Sequence, residues 1–144
     1  TRNIALAAFT LRISLAVMLL AHGLLKVLVY TLPGSAQFFA SVGFPGWLAY
    51  LVAAMEIIGG ALMLFGVATR TTALAMLPIM LGAVVVHWTN GWVFSAPNGG
   101  WEYPALLAVL MLVQALLGPG AYALIEERGN CVDHAEFGGK ETYV

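Results

Sequence analysis

The run WLAYLVAAMEIIGGALMLFGV, residues Trp47 to Val67, carries a single charge, Glu56, in 21 positions. A segment this long and apolar has the dimensions of a membrane-spanning helix. About 20 residues rising roughly 1.5 Å each cross a hydrocarbon core of roughly 30 Å. Inside that core a helix satisfies all of its own backbone N–H and C=O groups, which an isolated extended segment does not.

The same pattern recurs on both sides. Leu11 to Tyr30, Thr71 to Asn90, and Glu102 to Leu117 or slightly beyond are also long and apolar. The expected fold is all-α: an integral membrane four-helix bundle, antiparallel, with spans at about 11–30, 47–67, 71–90 and 102–118. The membrane domain covers 1–125 and a short polar tail covers 126–144. Leu32-Pro33-Gly34 and Gly43-Phe44-Pro45-Gly46 frame the first loop, Ala96-Pro97-Asn98-Gly99-Gly100 lies in the third, and Gly118-Pro119-Gly120 closes the last helix. The connection at Ala68-Thr69-Arg70 is so short that its flanking helices form an antiparallel hairpin. Pro78 removes one backbone donor from the third span.

Composition agrees. The chain of 144 residues is 61% hydrophobic and 9% charged, with a mean hydropathy of +0.91, whereas soluble domains carry about 25% charged residues. A net charge of −1 excludes a nucleic-acid partner and a polybasic grip on anionic lipid. The lone Cys131 forms no internal disulfide. Cys131 to Glu136 contains metal-binding residue types without ligand spacing. The chain begins at Thr1. The apolar run from Ile13 to Tyr30 outlasts the apolar core of a signal peptide and lacks a small-residue cleavage site, so it is expected to stay as the first span. No P-loop, dinucleotide fingerprint, CxxC or nucleophile elbow is present.

Arg2, Arg12, Arg70, Arg128 and Lys140 fall at the amino terminus, the second loop or the carboxyl tail. The first and third loops contain no Lys or Arg, so both termini are expected in the cytoplasm. Trp47, Trp88, Trp92 and Trp101 crowd the opposite boundary as an aromatic belt. Arg70 is expected to anchor the cytoplasmic loop, and Gln114 to make a hydrogen bond within the bundle.

With the flanking charges set aside, His22, Lys26, Glu56 and His87 remain inside the spans, with Glu102 beside them. From the rise per residue, His22 lies roughly 12 Å below the outer end, Lys26 roughly 6 Å, Glu56 roughly 14 Å and His87 roughly 5 Å. Three helices running in alternating directions therefore place four ionisable groups in one half of the membrane, where charge is expensive and usually functional. His22 and Lys26 share a face with Ser14 and Met18, and His87 shares a face with Asn90. Gly59 and Gly60 allow a neighbouring helix to approach the face that bears Glu56. A buried Glu56 needs a counter-charge, so a Lys26/Glu56 or His22/Glu56 contact is expected. The plainer alternatives are a structural pair that sets helix register, a Lys26 that snorkels to the interface, and a Glu102 that serves the helix dipole.

Several ordered elements resemble the DoxX family of small four-helix membrane proteins over roughly Leu11 to Leu124. They are His22-Gly23-x-x-Lys26, Gly43-Phe44-Pro45, Glu56-x-x-Gly59-Gly60, Gly66-x-x-Thr69-Arg70, His87-x-x-Asn90-Gly91, Gly100-x-Glu102-Tyr103-Pro104 and Gly118-Pro119-Gly120. The resemblance implies membrane redox chemistry. Related proteins form the membrane part of a thiosulfate:quinone oxidoreductase, which includes a further subunit or domain, and others associate with soluble redox enzymes.

The leading expectation is a quinone-binding or quinone-reactive subunit of an oxidoreductase complex in the bacterial inner membrane. Glu56, His22 and Lys26 form the reactive group, and His87, Asn90, Trp88 and Glu102 hold the ring. His22 or Lys26 donates to one carbonyl and His87 to the other, Glu56 exchanges protons, and Trp88, Trp92 and Trp101 wall the ring. Membrane lipid and other protein subunits are the expected partners. The alternatives are a non-catalytic assembly subunit, or a metal or haem site using His22 and His87 with Glu56 or Glu102 as oxygen ligands.

Overall fold

The computed structural model describes residues 2–127. The remaining tail, with Arg128, Cys131, His134, Glu136 and Lys140, lies outside the described residues, as do the expectations placed on it. Every regular element is helical: α1 (Arg2–Leu24), which runs on into a π-wound turn at Leu25–Val29, α2 (Leu32–Ser41), α3 (Leu48–Phe65), α4 (Thr69–His87), with a 3₁₀ turn at Trp88–Asn90, and α5 (Glu102–Leu117). Among the described residues, three stretches are long and apolar enough to cross a membrane, Arg2–Val29, Leu48–Phe65 and Thr69–Asn90, while Glu102–Leu117 is apolar but shorter.

Gly66 ends α3 in the left-handed region, with φ +68°, and Val67 N–H reaches back to the Leu62 carbonyl at 2.8 Å. This closure absorbs orphan carbonyls and reverses the chain within three residues, so α4 runs antiparallel to α3. Ala68 offers α4 no side-chain cap. Glu127 supplies one from the far end of the chain, accepting from Arg70 N–H at 3.2 and 3.4 Å. A carboxylate at a helix start also suits the helix dipole. Arg70 Nη1 in turn donates to the Ala115 and Leu116 carbonyls at the end of α5.

Two features differ from the expected pattern. Helix α1 starts at Arg2, well before the span expected from Leu11. Arg12, grouped above with the flanking charges, is wholly buried inside it. Its guanidinium donates to the Pro119 carbonyl and, at 3.3 Å, to the Tyr122 carbonyl. The physical reason is that the chain beyond α5 folds back across α1, where Ala121 N–H meets the Ala5 carbonyl at 2.9 Å. Carbonyls of that turn, free of helical partners, take the place of water around the charge. Gln114, buried nearby, donates to Ala8 and Gly118 carbonyls, which is the expected bundle contact.

The second difference is α2, where a loop was expected. Thr31 Oγ1 accepts from Gly34 N–H at 3.2 Å, and Pro33 lies in the first turn. There its missing N–H costs nothing, because the first N–H groups of a helix have no intrahelical partner.

Helix α1 lies along α3 and α4 lies along α5, with lesser contacts of α3 on α4 and α1 on α5. A Cβ added at Gly60 would stand 2.8 Å from Leu20 Cγ and 3.1 Å from the Ala16 carbonyl, and one at Gly59 would stand 3.1 Å from Thr72 Cγ2. The adjacent glycines therefore seat a helix on each side, as close packing in lipid requires. Leu15, Leu19, Met63, Met76 and Met111 fill the core, while Val17, Ile58, Val85 and Leu116 point outward. Away from their turn, α3 and α4 flank a cavity, and α2 packs on α3 beside it.

Candidate functional site

The cavity has a volume of about 740 Å³ and walls that are overwhelmingly apolar. His22 and Lys26 reach it from the end of α1, Glu56 from α3, His87 from the end of α4, and Tyr103 from the start of α5. Phe38, Phe39 and Phe44 line it from α2 and the loop after it. Pro78 and Gly82 lie along the α4 wall, and a Cβ added at Gly82 would meet no atom within 4 Å.

Lys26 Nζ donates to both oxygens of Glu56, at 3.0 and 2.7 Å, so the Lys26/Glu56 contact is the one that forms. The side chains are 18% and 5% exposed. Each charge is neutralised where hydration is scarce, which is the condition for a buried pair to persist. Lys26 sits in the π-wound turn, a distortion frequent at functional sites. Its own carbonyl accepts from Ser35 Oγ of α2 at 3.2 Å, which ties α2 to the segment carrying the pair.

The histidines share one geometry. His22 Nδ1 lies 2.8 Å from the Met18 carbonyl, and His87 Nδ1 lies 2.7 Å from the Ala83 carbonyl. A carbonyl oxygen only accepts, so each Nδ1 carries the proton. In the neutral ring each Nε2 is then an acceptor. Beside His22, at 6.2 Å between ring centroids, stands Tyr103. The Tyr103 hydroxyl is buried and has no hydrogen-bond partner among the described residues.

The remaining residues of the expected site lie outside this wall. Trp88 stacks on Trp101 at 4.7 Å, and Trp92 meets Trp101 edge-on at 4.4 Å, forming an aromatic cluster beside the cavity instead of around it. Consecutive helical residues point about 100° apart, so a helix that aims His87 into the cavity turns Trp88 away. Asn90 donates to the Asn98 and Gly99 carbonyls and pins the third loop. Glu102 accepts from Phe94 N–H at 3.2 Å and borders a separate, smaller hollow. Among the described residues, no three His, Cys, Asp or Glu side chains gather as a metal-binding group.

Tyr103 and the phenylalanines were absent from the expected site. Tyr103 stood within the Gly100-x-Glu102-Tyr103-Pro104 element, which was the signal available for it. The phenylalanines stood in a segment read as loop, where nothing indicated which way they face.

Helices of spanning length, outward apolar side chains and a largely buried ion pair among them define a small all-helical membrane protein with an internal polar site. The chain belongs to the DoxX family, whose model matches residues 7–89. It is 32% identical over 124 residues to "Putative oxidoreductase CatD" of Bacillus subtilis (strain 168), covering 85% of this chain and 87% of that protein. It is 30% identical over 115 residues to "Inner membrane protein YqjF" of Escherichia coli (strain K12), covering 78% of this chain and 85% of that protein. No solved structure matches the chain. It is thus a membrane protein in contact with lipid, consistent with a bacterial inner membrane.

Proposed function

We propose that this protein is a quinone-binding subunit of a membrane oxidoreductase. The observation that carries the reading is the convergence of His22, Lys26, Glu56 and His87, from three helices, on one apolar cavity of about 740 Å³. Small-molecule sites combine such a volume and apolar lining with a few placed polar groups. The residues fit the group: Phe38, Phe39 and Phe44 offer apolar contact to a ring and tail, and the unpartnered Tyr103 hydroxyl offers a polar contact to the head group. A bound quinone supplies a carrier of two electrons and two protons. Glu56 can hold or pass a proton, with Lys26 at hydrogen-bond distance from both of its oxygens. The name of the Bacillus subtilis relative supports redox work. A partner subunit exchanges the electrons.

In this reading α5 is a fourth span. Its 16 residues rise about 24 Å, short of a typical core, and local thinning accommodates such a mismatch. It lies along α4, itself long enough to cross. Both termini then face the cytoplasm, as the distribution of Lys and Arg favours.

The test is quinone quantification in lipid extracts of the gently purified native protein and of a folded His22→Ala/Glu56→Gln variant. Near-stoichiometric quinone in the first and little in the second is the expected result. Quinone absent from both, with a larger complex co-purifying, would overturn the reading in favour of a non-catalytic assembly subunit.

A further inference from the structure

The two histidines carry a chemical bias that goes beyond the presence of a head-group site. We infer that the cavity binds the reduced, dihydroxy form of an aromatic ring in preference to the oxidised quinone. This inference rests on the quinone-site reading and specifies which redox form the site selects.

The bias follows from counting donors and acceptors. His22 and His87 each spend Nδ1–H on the carbonyl one turn back, at 2.8 and 2.7 Å. Both therefore present only a lone pair at Nε2 while neutral. A quinone carbonyl is also an acceptor, so setting it against either ring leaves two acceptors facing each other without a proton. A hydroquinone brings an O–H donor at each end and satisfies both.

Protonating the histidines would reverse the bias, so the comparison belongs at a pH where an ordinary imidazole is neutral. Glu56 is the carboxylate in the cavity wall, and both of its oxygens are already engaged by Lys26. Tyr103 does not decide the matter, because a phenol both donates and accepts. Lys26 has at most one N–H left after its two bonds to Glu56, which cannot serve both ends of a quinone.

A site that favours the reduced form makes its bound ring easier to reduce than the free one. Each tenfold preference raises the potential of a two-electron couple by about 30 mV. The site is therefore suited to drawing electrons into the ring and retaining the product until exchange with the bilayer.

The experiment measures anaerobic binding to the full-length protein in lipid nanodiscs, at about pH 8, where an ordinary imidazole is neutral. The probes are 1,4-dihydroxynaphthalene, 1,4-naphthoquinone and 1,4-dimethoxynaphthalene, the last keeping the ether oxygens and losing both O–H donors. The dihydroxy compound is expected to bind at least tenfold more tightly than either of the others. In a His22→Phe/His87→Phe variant the three affinities should fall within threefold of one another. Quinone binding as tight as diol binding would overturn the inference while sparing the quinone site, as would a preference that survives in the variant. Failure of all three to bind would overturn the site reading itself. The wild-type ratio decides the question even where the variant does not fold.

Discussion

Lys26 and Glu56, 30 residues apart and on different helices, meet through both carboxylate oxygens at 3.0 and 2.7 Å. The pair is close to dry, and Lys26 reaches it from a π-wound turn. Such a pair can be a register device, a working part of the site, or both, and single substitutions do not separate these roles.

Glu56→Ala leaves Lys26 without its counter-charge and should destabilise the protein by about 3 kcal/mol, the usual cost of breaking a buried pair from one side. Lys26→Met/Glu56→Leu removes both charges and should recover most of that loss. Thermal unfolding in mild detergent reads the stabilities, and quinone quantification reads the site. A double variant that is stable and still carries native quinone would reduce the pair to a register device.

Gly82 lies on the cavity wall, and a Cβ there would meet no atom within 4 Å. Gly82→Leu should therefore fill the cavity without a clash. Replacing a helical glycine also gains up to about 1 kcal/mol of helix propensity. The expected variant is at least as stable as the native protein and, on the proposed quinone-site reading, retains less than a tenth of the quinone that the native protein carries. Native quinone content in that variant would place the binding site elsewhere.

Arg12 lies outside the cavity wall but is wholly buried in the fold. Arg12→Leu strips the Pro119 and Tyr122 carbonyls of their donor, and the expected loss is about 2–4 kcal/mol. Quinone per folded molecule should not change. An unaltered melting temperature would show that the turn after α5 holds to α1 without this side chain.

Orientation is open to a labelling test in intact cells. Ser95, in the loop between α4 and α5, is exposed. In a Cys131→Ser background, Ser95→Cys should react with a membrane-impermeant maleimide from outside. Cys131 of the native chain should react only after the membrane is opened. The opposite pattern would invert the topology.

Most of the fold was legible in one dimension because a bilayer imposes the same requirement at every residue along a span. A helix there must be long, apolar and self-satisfied in hydrogen bonding. Leu48–Phe65 and Thr69–Asn90 came out within a few residues of expectation. The convergence of His22, Lys26, Glu56 and His87 was legible too, because depth along a helix is proportional to residue number.

Angle around the helix and the identity of distant partners were not legible. Trp88 and His87 are neighbours at the same depth, yet only His87 lines the cavity. Arg12 looked like a flanking charge because its partners, the Pro119 and Tyr122 carbonyls, lie more than a hundred residues away. The phenylalanines of α2 and the unpartnered Tyr103 hydroxyl acquired meaning only once α3, α4 and α5 enclosed a common space. The sequence by itself determined which long apolar segments are helical and how far along each its ionisable groups lie, since both follow from local hydropathy and a constant rise. Tertiary structure alone decided which of those groups face one another, because that depends on how each helix is rotated against its neighbours, and the close contacts at Gly59 and Gly60 set that rotation for α3.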